Sequence, residues 1–270
     1  MIEKRFHTDL GDIHYWTAGP PEEGPELVFL PGLTADHRLF DMQVRAFEGQ
    51  YRLLVWDPPA HGASRPFDLS FSLDDLARYL QAILHREGMT RPVLIGQSMG
   101  GYVSQCFIQL FPGEAAGFIS IDSAPLKRRY ITGVELWMLH HTGPLYRAYP
   151  WRRLLKSGST GVADTAYGQA LMLAMMETYD KGEYCRLAAH GFDILADAFE
   201  TGRPYTIDCP CLLICGEHDR AGSAKRYNVA WAREEQLPIR WIKGAGHNAN
   251  TDAPETVNGL IGDFLLQKNK

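Results

Sequence analysis

The pentapeptide Gly96-Gln97-Ser98-Met99-Gly100 constrains this chain more than any other segment. Before it, Pro92-Val93-Leu94-Ile95 reads as a short buried strand. After it, Gly101 to Phe111 reads as a helix with Val103, Phe107 and Leu110 on one face. Gly-x-Ser-x-Gly between a strand and a helix is a sharp, strained turn that lifts the serine off the edge of a sheet. Its glycines are required because a Cβ there would collide with the neighbouring strand or helix. The helix that follows turns its positive end toward the same place.

The surroundings agree with such a sheet. Short apolar runs recur at Leu27–Leu30, Arg52–Trp56, Val93–Ile95, Phe118–Ile121, Leu212–Cys215 and Ile239–Ile242, with helical patterns between them. One helix opens at Ser72, a plausible N-cap, with Asp74 and Asp75 in its first turn and Leu76, Leu80, Ile83 and Leu84 at helical spacing. Another covers Phe40 to Phe47, and Ala253 to Leu266 reads as a closing helix. The first residues read as a hairpin, Phe6-His7 against Ile13 to Trp16, with Leu10-Gly11-Asp12 in the turn. Short apolar strands alternating with helices predict a parallel sheet covered on both faces, with ligands bound beyond the carboxyl ends of its strands.

The alternation stops between Leu126 and Arg203, which reads as helices without strands and carries Trp137, Met138, Trp151, Met172, Met175, Met176 and Phe192. An insertion of this kind suits a helical cap over the site. The expected organisation is a core of residues 1–125 and 204–270 with a cap of residues 126–203. Trp137, Met138 and Met175 are the candidate pocket residues, since aromatic and methionine side chains suit an apolar, adaptable pocket.

A serine hydroxyl needs a base. Of the ten histidines, His247 stands out, because it follows Gly244-Ala245-Gly246 at the end of the last apolar run and can reach across to Ser98. His140-His141 lies in the insertion, His218 adjoins a candidate acid, and His61 lies in a Pro/Gly-rich loop. The base in turn needs a carboxylate. Asp219, directly after the fifth core run, is the preferred candidate, and Asp122, after the fourth, is its rival. Developing negative charge needs donors. The candidates are the Met99 N–H, at the helix start, and the Leu33 N–H, in the loop Leu30-Pro31-Gly32-Leu33-Thr34.

In chain order, Pro31-Gly32-Leu33, Asp57 to Ser64, Gly96 to Gly101, Gly216 to Asp219 and Gly246-His247-Asn248 together resemble the α/β-hydrolase fold superfamily, in its group of capped small-substrate serine hydrolases. The resemblance implies a mostly parallel eight-stranded sheet with helices on both faces and a helical cap inserted after strand 6. It also implies a structural role for the Asp57–Ser64 loop. Many relatives carry His-Gly where this chain has Pro31-Gly32. Relatives that open epoxides or displace halide use aspartate at the nucleophile position, so Ser98 argues against both reactions.

The resulting reading is a serine hydrolase of small esters, lactones or thioesters, with Ser98, Asp219 and His247 as triad and no cofactor or metal. The alternatives are a C–C bond hydrolase or lyase using the same triad, or a slow-turnover ligand-binding or signalling protein. The expected partner is a small molecule with an apolar acyl or aromatic group. A net charge of −5 argues against nucleic acid, and no segment has the apolar length of a membrane span. Five cysteines and no apolar N-terminal stretch give the expectation of free thiols and a cytoplasmic location. Cys209, Cys211 and Cys215 flank or end an apolar run and read as small buried hydrophobes rather than metal ligands.

Overall fold

The computed structural model describes residues 1–20, 24–202 and 205–268. Its frame is one eight-stranded sheet. The strands are β1 (Ile2–Thr8), β2 (Gly11–Ala18), β3 (Glu26–Leu30), β4 (Arg52–Trp56), β5 (Val93–Gln97), β6 (Gly117–Ile121), β7 (Cys211–Gly216) and β8 (Ile239–Ile242). Their order is β1-β2-β4-β3-β5-β6-β7-β8. The β1–β2 and β2–β4 pairings are antiparallel and the others are parallel. Every residue of β5, β6 and β7 is buried. Successive side chains point to opposite faces, so both faces are covered there, which is why these strands are continuous apolar runs.

The amino-terminal hairpin is longer than the sequence suggests. Thr8 pairs with Gly11, so the turn is Asp9-Leu10, and Gly11 and Asp12 already belong to β2. A Cβ on Gly11 would lie 2.7 Å from the Phe67 ring, and its φ of 147° favours glycine.

Helices α1 (Asp41–Phe47), α2 (Leu73–Glu87) and α3 (Met99–Leu110) alternate with the strands. Ser72 caps α2 in a capping box: its Oγ accepts the Asp75 N–H at 3.2 Å, and the Asp75 carboxylate accepts the Ser72 N–H at 3.0 Å. Between β6 and β7 the chain leaves the sheet for five helices: α4 (Gly133–His140), α5 (Thr142–Ala148), α6 (Trp151–Val162), α7 (Ala166–Met176) and α8 (Lys181–Glu200). Helices α9 (Ala224–Glu235), α10 (Ala249–Asp252) and α11 (Pro254–Lys268) complete the core. Cys211 and Cys215 are buried free thiols at the ends of the β7 apolar run, and Cys209 is half-buried. Among the described residues no helix is long and apolar enough to cross a membrane.

Strand β3 has β4 on one side and β5 on the other. The chain direction across the sheet therefore reverses at the carboxyl ends of β3 and β5, where open α/β sheets leave a crevice. The loop after β3 carries Gly32 and Leu33, and Ser98 directly follows β5.

Candidate active site

Strand β5 runs to Gln97 and α3 starts at Met99, so the whole reversal is made by Ser98, with φ 49° and ψ −116°. A positive φ at a non-glycine residue is strained and persists only where its surroundings enforce it. The Ser98 N–H donates to the Ile121 carbonyl at 2.9 Å, and the Ser98 carbonyl accepts the Gly101 N–H at 2.9 Å. The flanking glycines let the backbones meet. A Cβ on Gly96 would lie 2.4 Å from the Gly100 carbonyl oxygen, and one on Gly100 only 1.9 Å from that of Leu30. Backbone cannot yield as a side chain end does. Gly100→Ala is therefore expected to destabilise the fold by about 3 kcal/mol or more, measured as a lowered denaturant midpoint. An unchanged midpoint would refute this account of the turn.

His247 lies in the loop after β8, which is tied down on both sides. The Gly246 N–H donates to Asp252 Oδ2 at 2.8 Å, and the Asn248 N–H donates to the Val162 carbonyl at 2.7 Å. Gln97, beside the serine, donates Nε2–H to the His247 carbonyl at 2.9 Å and to Asn248 Oδ1 at 3.1 Å. Sequence reasoning missed Gln97 and Asp252 as positioning residues. For Gln97 the available signal was an amide side chain at the end of an otherwise apolar strand.

The structure brings Ser98, His247 and Asp219 together. His247 Nε2 is 2.9 Å from Ser98 Oγ, and His247 Nδ1 is 3.0 Å from Asp219 Oδ1. A carboxylate only accepts, so Nδ1 carries the proton and Nε2 presents its lone pair to the serine hydroxyl. Burial opposes a charge on His247. The hydrogen bond to Asp219 and the charges of Asp219 and Asp122 outweigh it, and the imidazole pKa is raised.

Asp122 does not bond His247. Its Oδ1 accepts the Gly216 N–H at 2.6 Å and its Oδ2 the Ala249 N–H at 2.9 Å, which ties β6 to β7 and to α10. Burial raises its pKa, and those two backbone donors and the nearby His247 oppose the rise. Asp57 and His61 lie in the loop expected to be structural, and burial lowers the His61 pKa. Asp57 is fully buried and accepts the His37 N–H at 2.8 Å and the Ala63 N–H at 2.6 Å.

Gly32 lies against the serine: a Cβ on it would be 3.1 Å from Ser98 Cβ. Among the described residues neither the Leu33 N–H nor the Met99 N–H donates to another protein group, and both residues line the same cavity as Ser98 and His247. That cavity has a volume of about 740 Å³ and lies between the sheet and the inserted helices. Of the pocket candidates, Met138 lines it. Trp137 does not: it is 60% exposed and stacks on His141 at 4.2 Å. Met175 does not either, because it faces inward from α7, where its sulfur accepts the buried Asp36 N–H at 3.3 Å. The apolar lining instead includes Tyr146, Met172, Tyr184, Phe192 and Leu195. Among the described residues two groups have metal-ligand types close together, Asp36-His37-Asp57 and His140-Asp197-Glu200, and none of the six lines the cavity.

A hydrogen-bonded serine, histidine and carboxylate at the carboxyl edge of a parallel sheet, under inserted helices, is the arrangement found in α/β-hydrolase-type enzymes. Sequence comparison agrees: the chain matches the Alpha/beta hydrolase family over residues 27–260. It is 28% identical over 273 residues to the magnesium-chelatase 30 kDa subunit of Rhodobacter capsulatus, covering 95% of this chain and 92% of that protein. It is 25% identical over 274 residues to an sn-1-specific diacylglycerol lipase of Xenopus tropicalis, covering 97% and 85%. Among solved structures, a thermophilic esterase from Thermogutta terrifontis superposes with a TM-score of 0.76 at 20% identity, covering 100% of both chains. This chain belongs to the alpha/beta hydrolase family. Hydrolase chemistry is the coarse activity its relatives support.

Proposed function

We propose that this protein is a serine hydrolase that cleaves a carboxylic ester, or a related lactone or thioester, through an acyl-enzyme on Ser98. One observation carries the reading: His247 Nε2 stands 2.9 Å from Ser98 Oγ while its Nδ1 is held by Asp219 at 3.0 Å. Ser98 Oγ attacks the carbonyl carbon as its proton passes to His247 Nε2. The carbonyl oxygen takes the negative charge and is held by the Met99 and Leu33 N–H groups. His247 then donates the proton to the leaving alcohol, which departs, and the acyl group remains on Ser98. Water, deprotonated by His247, attacks the acyl carbon, the bond to Ser98 Oγ breaks, His247 returns the proton to Oγ, and the acid departs. Asp219 stabilises the imidazolium and keeps its tautomer.

In this reading residues 126–203 form a cap over a core of residues 1–125 and 204–270, a division whose 203/204 boundary lies outside the described residues, and the described part of the cap supplies most of the apolar lining. The substrate is a small molecule with an apolar acyl or aromatic part. The mostly apolar cavity wall supports this, and the lipase and esterase among the similar proteins are in keeping with it.

The reading is tested by intact-mass analysis after exposure to a fluorophosphonate. A single adduct on the native protein and none on folded Ser98→Ala is the expected result; an adduct that persists in the variant would remove Ser98 from its role. The base must be neutral to accept a proton, so activity falls as pH drops through the His247 pKa. Because that pKa is raised, the acid limb of kcat/KM is expected above the ordinary histidine value of about 6.5. An acid limb below that value would contradict the pairing with Asp219.

A further inference from the structure

One wall of the cavity forms where the first inserted helix meets the core. Glu135 of α4 lines it together with Ser223, just before α9, and Tyr227 of α9. Glu135 Oε1 accepts the Ser223 hydroxyl at 2.6 Å and Arg226 Nη2 at 3.2 Å. Its Oε2 accepts the Tyr227 hydroxyl at 2.5 Å, the Thr132 N–H at 2.9 Å and the Thr132 hydroxyl at 2.6 Å. Removal from water opposes its charge, but the hydrogen bonds from Ser223, Thr132 and Tyr227 outweigh this and hold the carboxyl down at about 2. Glu135 is thus an anion at any working pH.

A hydroxyl has one proton and two lone pairs. Ser223 and Tyr227 commit their protons to Glu135, and each accepts from Arg226 Nη2, at 3.5 Å and 3.2 Å, so what each has left to offer is a lone pair. Thr142, which also lines the cavity, commits its proton to the Leu139 carbonyl at 3.0 Å. Among the described residues the lining contains no lysine or arginine. Arg226 meets Glu135 from outside the lining, with a side chain 65% exposed. The wall therefore presents acceptors and a carboxylate to the cavity, and the cation paired with that carboxylate, Arg226, stands behind it on the surface rather than in the lining.

We propose that this cavity selects an uncharged ester bearing a hydroxyl and rejects an ester bearing a carboxylate. The proposal rests on the esterase reading above and names its substrate class. A substrate hydroxyl can donate to the lone pairs of Ser223, Tyr227 or Thr142. A substrate carboxylate loses its hydration, meets acceptors and the Glu135 carboxylate, and finds no lysine or arginine in the lining in exchange. The phenols of Tyr102, one helical turn beyond Ser98, and of Tyr146 and Tyr184 in the same lining are donors that burial keeps neutral, so they supply no positive charge to a carboxylate.

The test uses the native protein and three p-nitrophenyl esters of six-carbon acyl chains ending in methyl, hydroxyl or carboxylate. Each kcat/KM is corrected for the rate of that ester with hydroxide. The carboxylate ester is expected about tenfold or more below the methyl ester, and the hydroxyl ester at or above it. Glu135→Gln removes the fixed charge and is expected to narrow the gap between methyl and carboxylate esters. Tyr227→Phe removes an acceptor and is expected to lower the hydroxyl-to-methyl ratio. Because ratios within one variant are read, partial loss of folded protein cancels. Equal rates on all three esters, or a preference for the carboxylate, would overturn the proposal and leave ester hydrolysis standing. If no ester acylates Ser98, the esterase reading itself fails, and the proposal with it.

Discussion

Ser98→Ala lowers kcat by about 10⁴–10⁶-fold on any ester the native protein turns over, while the variant stays folded. The size follows from the role: without Oγ there is no acyl-enzyme, and only binding and oxyanion stabilisation remain. Folding should survive, because the backbone bonds of Ser98 to Ile121 and Gly101 do not involve the hydroxyl. Alanine keeps the strained φ of 49° at a cost similar to that of serine. The measurement is steady-state turnover beside circular dichroism and thermal unfolding. A folded variant that keeps more than about a tenth of native activity would show that the chemistry runs elsewhere.

The second large effect separates two aspartates. Asp219→Asn is expected to lower kcat by about 10⁴-fold with little change in stability. An amide facing His247 Nδ1 can donate as well as accept, which favours the tautomer that has a proton on Nε2 and no lone pair for Ser98. Asp122→Asn is expected to act the other way round. Its carboxylate oxygens each accept a backbone N–H, from Gly216 and Ala249. An amide nitrogen in place of one oxygen leaves a buried N–H facing a donor, costing about 1–3 kcal/mol of stability, with a much smaller effect on kcat. Paired turnover and denaturation curves decide. A large rate loss in the Asp122 variant at native stability would reverse the assignment.

The legible parts of this chain were those encoded by neighbours in sequence. The elbow could be read because Gly96 and Gly100 bracket Ser98 between a continuous apolar run and a helical period. The α2 start could be read because Ser72 and Asp75 cap the same turn. The hairpin is longer than its turn residues suggest, because Thr8 pairs with Gly11 and the Phe67 ring that excludes a side chain at Gly11 comes from far along the chain. Asp219 and Asp122 were harder to separate, since each follows the end of a buried strand and those strands, β7 and β6, are adjacent. Trp137 and Met175 were misplaced for a related reason. Helical spacing tells which residues share a face, but not whether that face meets the cavity, the core or water.

The sequence by itself determined the alternation of strands and helices, the long helical insertion and the serine turn, because each follows from local periodicity, backbone sterics and capping. Only the tertiary structure decided which carboxylate holds His247, how Gln97 and Asp252 fix its loop, and which inserted side chains face the cavity. Those choices rest on contacts between groups distant in the chain, such as Ser98 with His247, 149 residues apart, and distance in sequence carries no information about direction in space.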